Sequence, residues 1–211
     1  MTSTGQTGPL RIGLYGGTFD PPHRGHLAVA HAVQEAMKLD EVRFVVANRP
    51  WQKVDQRSIS DASIRLEMVK ALLANESTFV VDDQEIQRGG DSFTIDTVEQ
   101  LLAPNGLWRH GQPPEIYLIV GADAAAGLPT WHRASELAPM VDVVAVTRAS
   151  GELLNEQLSL LSDEWTILTV EMEPIDLSSS QIRAICQSGG SLSGLVPPAV
   201  AQIIMDSALY R

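Results

Sequence analysis

Apolar and polar positions fall in blocks along the chain. RIGLYGG (Arg11–Gly17), EVRFVVAN (Glu41–Asn48), TFVVDD (Thr78–Asp83), EIYLIVGAD (Glu115–Asp123), VDVVAVTR (Val141–Arg148) and WTILTVEM (Trp165–Met172) are short runs rich in Val, Ile, Leu and aromatic residues. Such runs are the mark of buried strands. Between and after them, apolar residues recur at helical spacing. This predicts helices in GHLAVAHAVQEAMKL, DASIRLEMVKALLA, TIDTVEQLLA, RASELA, SSSQIRAICQ and PPAVAQIIMDSAL. Ser60 or Asp61 is available to cap the second helix, and a serine opens the fifth. Proline opens the last helix, Pro104-Asn105-Gly106 stops the third, and Gly189-Gly190 stops the fifth.

Strands alternating with helices predict an α/β fold, a doubly wound and mainly parallel sheet with helices on both faces. In such sheets ligands bind outside the carboxyl ends of the strands. The residues to inspect are therefore those that follow each strand: GGTFDPPHRGH, RPWQK, GAD, TR and the later SSSQIR. Residues 1–9 read as a flexible tail and 10–211 as a single domain, with Ala149 to Leu160 as a surface stretch inside it. No internal repeat is visible.

Composition narrows the class. The 211 residues suffice for one sizeable core, and 44% hydrophobic with 19% charged residues describes an ordinary globular chain. No run is long and apolar enough to span a bilayer, and the first ten residues lack the pattern of a secretory signal. One cysteine, Cys186, forms no intrachain disulfide and suits a reducing cytoplasm; it reads as a small buried residue. A net charge of −11 argues against a general nucleic-acid binder. It still permits an anionic small ligand drawn by a few converging cations.

The densest chemistry is in GGTFDPPHRGH, directly after the first strand. Gly16 and Gly17 permit close approach to the main chain, and Pro21 and Pro22 stiffen the entry to a helix. His23 and His26, three apart, share a helix face, and Gly25 between them is read as room for a phosphate. The helix start adds free amides and a partial positive charge. The glycines are spaced neither as a Walker loop nor as a dinucleotide fingerprint. A metal site is not supported, because no HExxH or cysteine cluster accompanies His-x-x-His.

GGTFDP followed by HxGH resembles the signature of the nucleotidyltransferase superfamily of adenylyl- and cytidylyltransferases. The superfamily's second signature, often ISSTxIR, is matched by Leu177-Ser178-Ser179-Ser180-Gln181-Ile182-Arg183. RPWQK, GGDSFTIDTV, IVGAD, LPTW and LVPPAVAQII resemble the bacterial nicotinate mononucleotide adenylyltransferases, over nearly the whole chain from about Arg11 to Tyr210. Ser180 stands where threonine is usual, Phe93 where tyrosine is frequent, and TRAS where Arg-Pro-Gly is common, which leaves the turn after Arg148 open.

The resemblance implies adenylyl transfer from ATP to nicotinate mononucleotide, giving deamido-NAD and pyrophosphate, with Mg²⁺ arriving on ATP. It implies ATP contacts from Gly16, Gly17, Thr18, Phe19, His23, His26, Gly121, Asp123, Ser178, Ser179, Ser180 and Arg183. It implies mononucleotide contacts from Thr18, Phe19, Lys53, Phe93, Thr94, Asp123 and Trp131. His23, His26, Lys53 and Arg183 would act on the reacting phosphates, His26 foremost. Taken alone, Asp123 is equally a helix cap, Trp131 a core residue, Lys53 a solvated loop lysine and Arg183 a surface ion-pair partner. Arg65 is equally a structural ion-pair partner, and its role is left open. The rival readings are an adenylyltransferase for nicotinamide mononucleotide or phosphopantetheine, and a non-catalytic nucleotide sensor on the same fold. Oligomeric state is not legible.

Overall fold

The structure is a computed structural model that describes residues 8–50, 59–148, 161 and 163–211. Most of the expected tail and the Ala149–Leu160 stretch lie outside them. Six strands form one sheet in the order β3-β2-β1-β4-β5-β6, each pair parallel. They are β1 (Arg11–Gly17), β2 (Glu41–Val46), β3 (Phe79–Asp82), β4 (Glu115–Gly121), β5 (Asp142–Arg148) and β6 (Ile167–Met172). The helices are α1 (Arg24–Met37), α2 (Ala62–Leu72), α3 (Gln84–Arg88), α4 (Thr94–Leu102), α5 (Ala122–Ala126), α6 (Ala134–Leu137), α7 (Ser179–Gln187) and α8 (Pro198–Asp206). The doubly wound parallel sheet expected from the alternation is present.

Burial follows the two-residue period of a strand. Along β4, Ile116, Leu118 and Val120 pack on one face, while Tyr117 and Ile119 pack on the other. One face is closed by α1, α2 and α8 through Val33, Met68, Val69, Val200 and Ile204. The opposite face is closed by α4, α5 and α6 through Ile95, Val98, Ala125 and Leu137. Because both faces are covered there, the central strands β2 and β4 have no polar side to show and read as continuous apolar runs, whereas edge strand β6 exposes Thr169 and Glu171.

The chain reverses its direction of winding between β1 and β4, which are neighbours in the sheet. The crevice of a doubly wound sheet opens at that point, beyond the carboxyl ends. Gly16, Gly17 and Gly121 end these two strands.

The pattern missed α3 and α5. Each has five residues, too few to show a helical period. Asp123 is the second residue of α5, whose N-cap is Gly121, so it does not hold the cap position of that helix. Asp61 holds the N-cap position of α2 without a side-chain hydrogen bond, whereas Ser178 caps α7 by accepting from the Gln181 N–H at 3.2 Å.

Candidate active site

Two cavities meet at the end of β1. The larger, ≈ 500 Å³, runs from Tyr15 to Asp20 and is completed by His26, Ser179, Ser180 and Arg183. The smaller, ≈ 260 Å³, is walled by Phe93, Thr94, Trp131, His132 and Glu85, with Leu118 to Gly121 behind. Tyr15, Gly16, Gly17 and Thr18 belong to both. The first cavity is polar, with Arg183 and Asp20 both in its wall; the second is mostly aromatic and aliphatic.

The β1–α1 loop is held from outside by side chains remote in sequence. Arg183 donates through Nη1 to the Asp20 carbonyl at 2.8 Å and through Nη2 to Ser180 Oγ at 2.8 Å. Ser179 Oγ donates to the Pro21 carbonyl at 2.8 Å. Tyr210, one residue from the end of the chain, donates its hydroxyl to Asp20 Oδ1 at 2.6 Å. Burial and the adjacent carboxylate push the Tyr210 hydroxyl well above its ordinary pKa, so it remains a donor. The three serines thus divide their work: Ser178 caps α7, Ser179 holds the loop and Ser180 accepts from Arg183.

The two histidine rings pack closely, with centroids 3.8 Å apart and planes tilted by 37°. His26 lines the larger cavity, while His23 lies behind it with 6% of its surface exposed. The His23 main-chain N–H donates to His26 Nδ1 at 3.0 Å. An imidazole whose Nδ1 accepts carries its proton on Nε2. His26 therefore carries its proton on Nε2, as a donor on a ring that lines the larger cavity. Burial lowers the pKa of His23 to about 4, which leaves it neutral at physiological pH. Its Nδ1 has no hydrogen-bond partner among the described residues.

The glycines divide differently from the sequence reading. A Cβ on Gly16 would meet nothing within 4 Å, so this residue does leave open space at the cavity. On Gly17 it would lie 2.8 Å from Phe19 Cζ, so that glycine makes room for the phenyl ring. Gly25 was read as room for a phosphate, and this is corrected. Its Cβ would lie 2.9 Å from both Cε1 and Nδ1 of His23, so the imidazole fills that space. Alanine in a helix is ordinarily about 1 kcal/mol better than glycine. Here we expect the opposite sign: Gly25→Ala overpacks a buried ring and lowers stability by about 1–3 kcal/mol. A thermal melt that shows no loss, or a gain, contradicts this packing.

Phe93 is the N-cap of α4 and Thr94 its first residue. Phe93 stacks on His132 with centroids 4.1 Å apart and planes 26° from parallel. Glu85 faces the smaller cavity and is nearly buried, which raises its pKa. Thr97 and Ser92 both hydrogen-bond to it and pull the other way, Thr97 at 3.0 Å. Neither Glu85 nor His132 was singled out from sequence. Lys53 lies outside the described residues, as do the side chains of Asp123 and Arg148. Ser178 is not among the residues lining either cavity. Cys186 is half-buried against the core rather than fully buried, and burial raises its pKa.

Among the described residues no group of three His, Cys, Asp or Glu could hold a metal, and no helix is long and apolar enough to cross a membrane.

The sequence profile of the cytidylyltransferase-like family matches residues 14–185. A protein of Methylibium petroleiphilum named "Probable nicotinate-nucleotide adenylyltransferase" is 40% identical over 92% of this chain and 87% of its own length. The chain belongs to this family. A nicotinate-nucleotide adenylyltransferase relative from Dehalococcoides mccartyi is 36% identical over 96% of this chain and 98% of its own length. A solved nicotinic acid mononucleotide adenylyltransferase from Plasmodium falciparum, complexed with NaAD, shares the fold at TM-score 0.72 and 17% identity. The alignment covers 95% of this chain and 97% of that one. Residues 14–185 include both the β1–α1 loop and Arg183, so the family match takes in both walls of the larger cavity.

Proposed function

We propose that the chain transfers the adenylyl group of ATP to nicotinate mononucleotide, releasing pyrophosphate and deamido-NAD. The observation that carries this is the pair of cavities joined at Gly16, Gly17 and Thr18, one polar with Arg183 and His26 in its wall and one aromatic. A nucleotide triphosphate suits the first, and a flat pyridine ring on a ribose phosphate suits the second. The reacting phosphates then meet over the shared glycines.

A phosphate oxygen of the mononucleotide attacks the α-phosphorus of ATP in line. The new P–O bond forms as the α-phosphorus parts from the oxygen that leaves with pyrophosphate. A phosphate monoester has its second pKa near ~6 and is largely ionised at neutral pH, so the nucleophile needs no base. The protein must instead position two anions and balance charge that builds on the phosphates.

His26, through Nε2–H, and Arg183 are assigned to those charges, with Ser179, Ser180 and the free amides at the start of α7 beside them. His23 serves from behind, by the main-chain N–H that orients His26. Lys53 and the side chain of Asp123 are assigned phosphate and ribose contacts on family grounds. Phe93 and Thr94 offer the first amides of α4 to the ring's carboxylate, and Trp131 offers its indole face. Mg²⁺ enters as part of the ATP substrate, held by phosphate oxygens and water rather than by protein carboxylates. Residues 10–211 act as one catalytic unit, in the cytoplasm.

Comparing kcat/KM for the acid and amide mononucleotides with Mg²⁺ and ATP tests the assignment. We expect the acid to be preferred by about tenfold or more, since a site built to donate to a carboxylate is left mismatched by an NH₂ group. Preference for the amide overturns the named substrate. Negligible turnover of both, with phosphopantetheine active, moves the chain to the rival substrate class; binding without turnover of any of them makes it a sensor.

A further inference from the structure

Among the described residues, Arg65 is the largest side chain with less than 2% of its surface exposed. A guanidinium stays charged in any protein, so burying it requires partners for its donors. The structure supplies main-chain carbonyls. Nε donates to Ser60 O at 2.8 Å, Nη1 to Thr18 O at 2.8 Å and Nη2 to Asn48 O at 3.0 Å. The rigid planar fork of arginine can serve three separated acceptors at once, which the single ammonium of lysine cannot.

Those acceptors lie at the site. Thr18 walls both cavities. Asn48 follows β2 and is stitched to the loop that leads into α4. Its N–H donates to Ser92 Oγ at 2.8 Å and its Nδ2 to Gly90 O at 2.8 Å, while the Ser92 N–H donates to Arg49 O at 3.0 Å. Ser92 and Phe93 wall the smaller cavity. One buried guanidinium therefore joins the wall common to both cavities to the wall of the aromatic one. It also holds the Thr18 carbonyl in a buried bond, so the negative end of that dipole faces a fixed positive charge rather than an incoming phosphate.

We propose that Arg65 is a positioning residue for adenylyl transfer, setting the two cavities in register by tying the Thr18 carbonyl to Asn48 and through it to the 90–93 loop. The inference rests on the reaction proposed above. In-line transfer between two bound anions is sensitive to small errors in their separation. Loss of this tie is therefore felt when both substrates are bound, and less when ATP binds alone.

The test is Arg65→Lys, with kcat expressed per site that binds a non-hydrolysable α,β-methylene ATP analogue. We expect kcat per binding site to fall about tenfold or more, with the analogue's Kd changed by less than about threefold. A purely structural arginine would lower the number of binding sites and leave turnover per site within about twofold, and that result overturns the proposal. Should Arg65→Lys not fold, Asn48→Ala cuts the same connection at its exposed bond to Gly90. It is then expected to raise KM for the mononucleotide about threefold or more with KM for ATP unchanged, and no change in either overturns the proposal. The parent enzyme is assayed alongside: its failure to turn over would refute the reaction, whereas an active parent with an unchanged variant refutes only the role of Arg65.

Discussion

His26→Ala is expected to lower kcat by about 10²–10³-fold, the loss typical of removing one donor aimed at charge that develops in a transition state. ATP affinity is expected to change far less, because Arg183, Ser179 and Ser180 still line the cavity. The expectation follows from how the ring is held. Its Nδ1 is occupied by the His23 N–H, its ring packs against the His23 ring at a 37° tilt, and it meets Phe19 in a T-shaped contact with centroids 5.1 Å apart. The donor is thus fixed before substrate arrives, and a fixed dipole needs no reorganisation during the reaction. His26→Asn separates orientation from chemistry. It retains an N–H donor on a shorter side chain, so its activity is expected to fall between the parent and the alanine variant. Steady-state kcat and KM for ATP decide the matter. Near-parental kcat in His26→Ala would remove His26 from the reaction.

The neighbouring histidine shows how far the sequence could be read. HxGH placed two imidazoles together at a helix start, and the structure brings them to 3.8 Å. What the string could not show is which of them faces the cavity. That depends on the entry to α1, where His23 is the N-cap with extended backbone angles and turns inward over Gly25. The glycine's purpose was misjudged for the same reason: a missing Cβ reveals space, not what fills it.

The sheet was legible because its central strands, β2 and β4 above all, are covered on both faces and so appear as apolar runs. The aromatic cavity was legible only through family likeness, because Phe93, Trp131 and Gly121 come from three segments with no shared period. The role of Arg65 was left open from sequence, because its hydrogen bonds reach main-chain carbonyls 17 and 47 residues away, and carbonyls leave no mark on sequence. Tyr210, bonded to Asp20 across 190 positions, was invisible in the same way.

Arg183→Ala is expected to reduce kcat/KM for ATP by about 100-fold, or about 2.7 kcal/mol, because one side chain serves two purposes. The first is charge: in a chain of net charge −11, few cations reach the larger cavity, and Arg183 lines it. The second is shape. Its Nη1 fixes the Asp20 carbonyl while Nη2 reaches back to Ser180 on its own helix, so α7 and the β1–α1 loop are held at one separation. Arg183→Lys keeps the charge but not the paired donors, and lysine is no substitute where a fork spans two acceptors. We therefore expect the lysine variant to regain about tenfold over alanine while staying about tenfold below the parent. A lysine variant equal to the parent would reduce the role to charge alone. One equal to alanine would make the fork the whole effect, and raising ionic strength separates the two further, because only the charge component is screened.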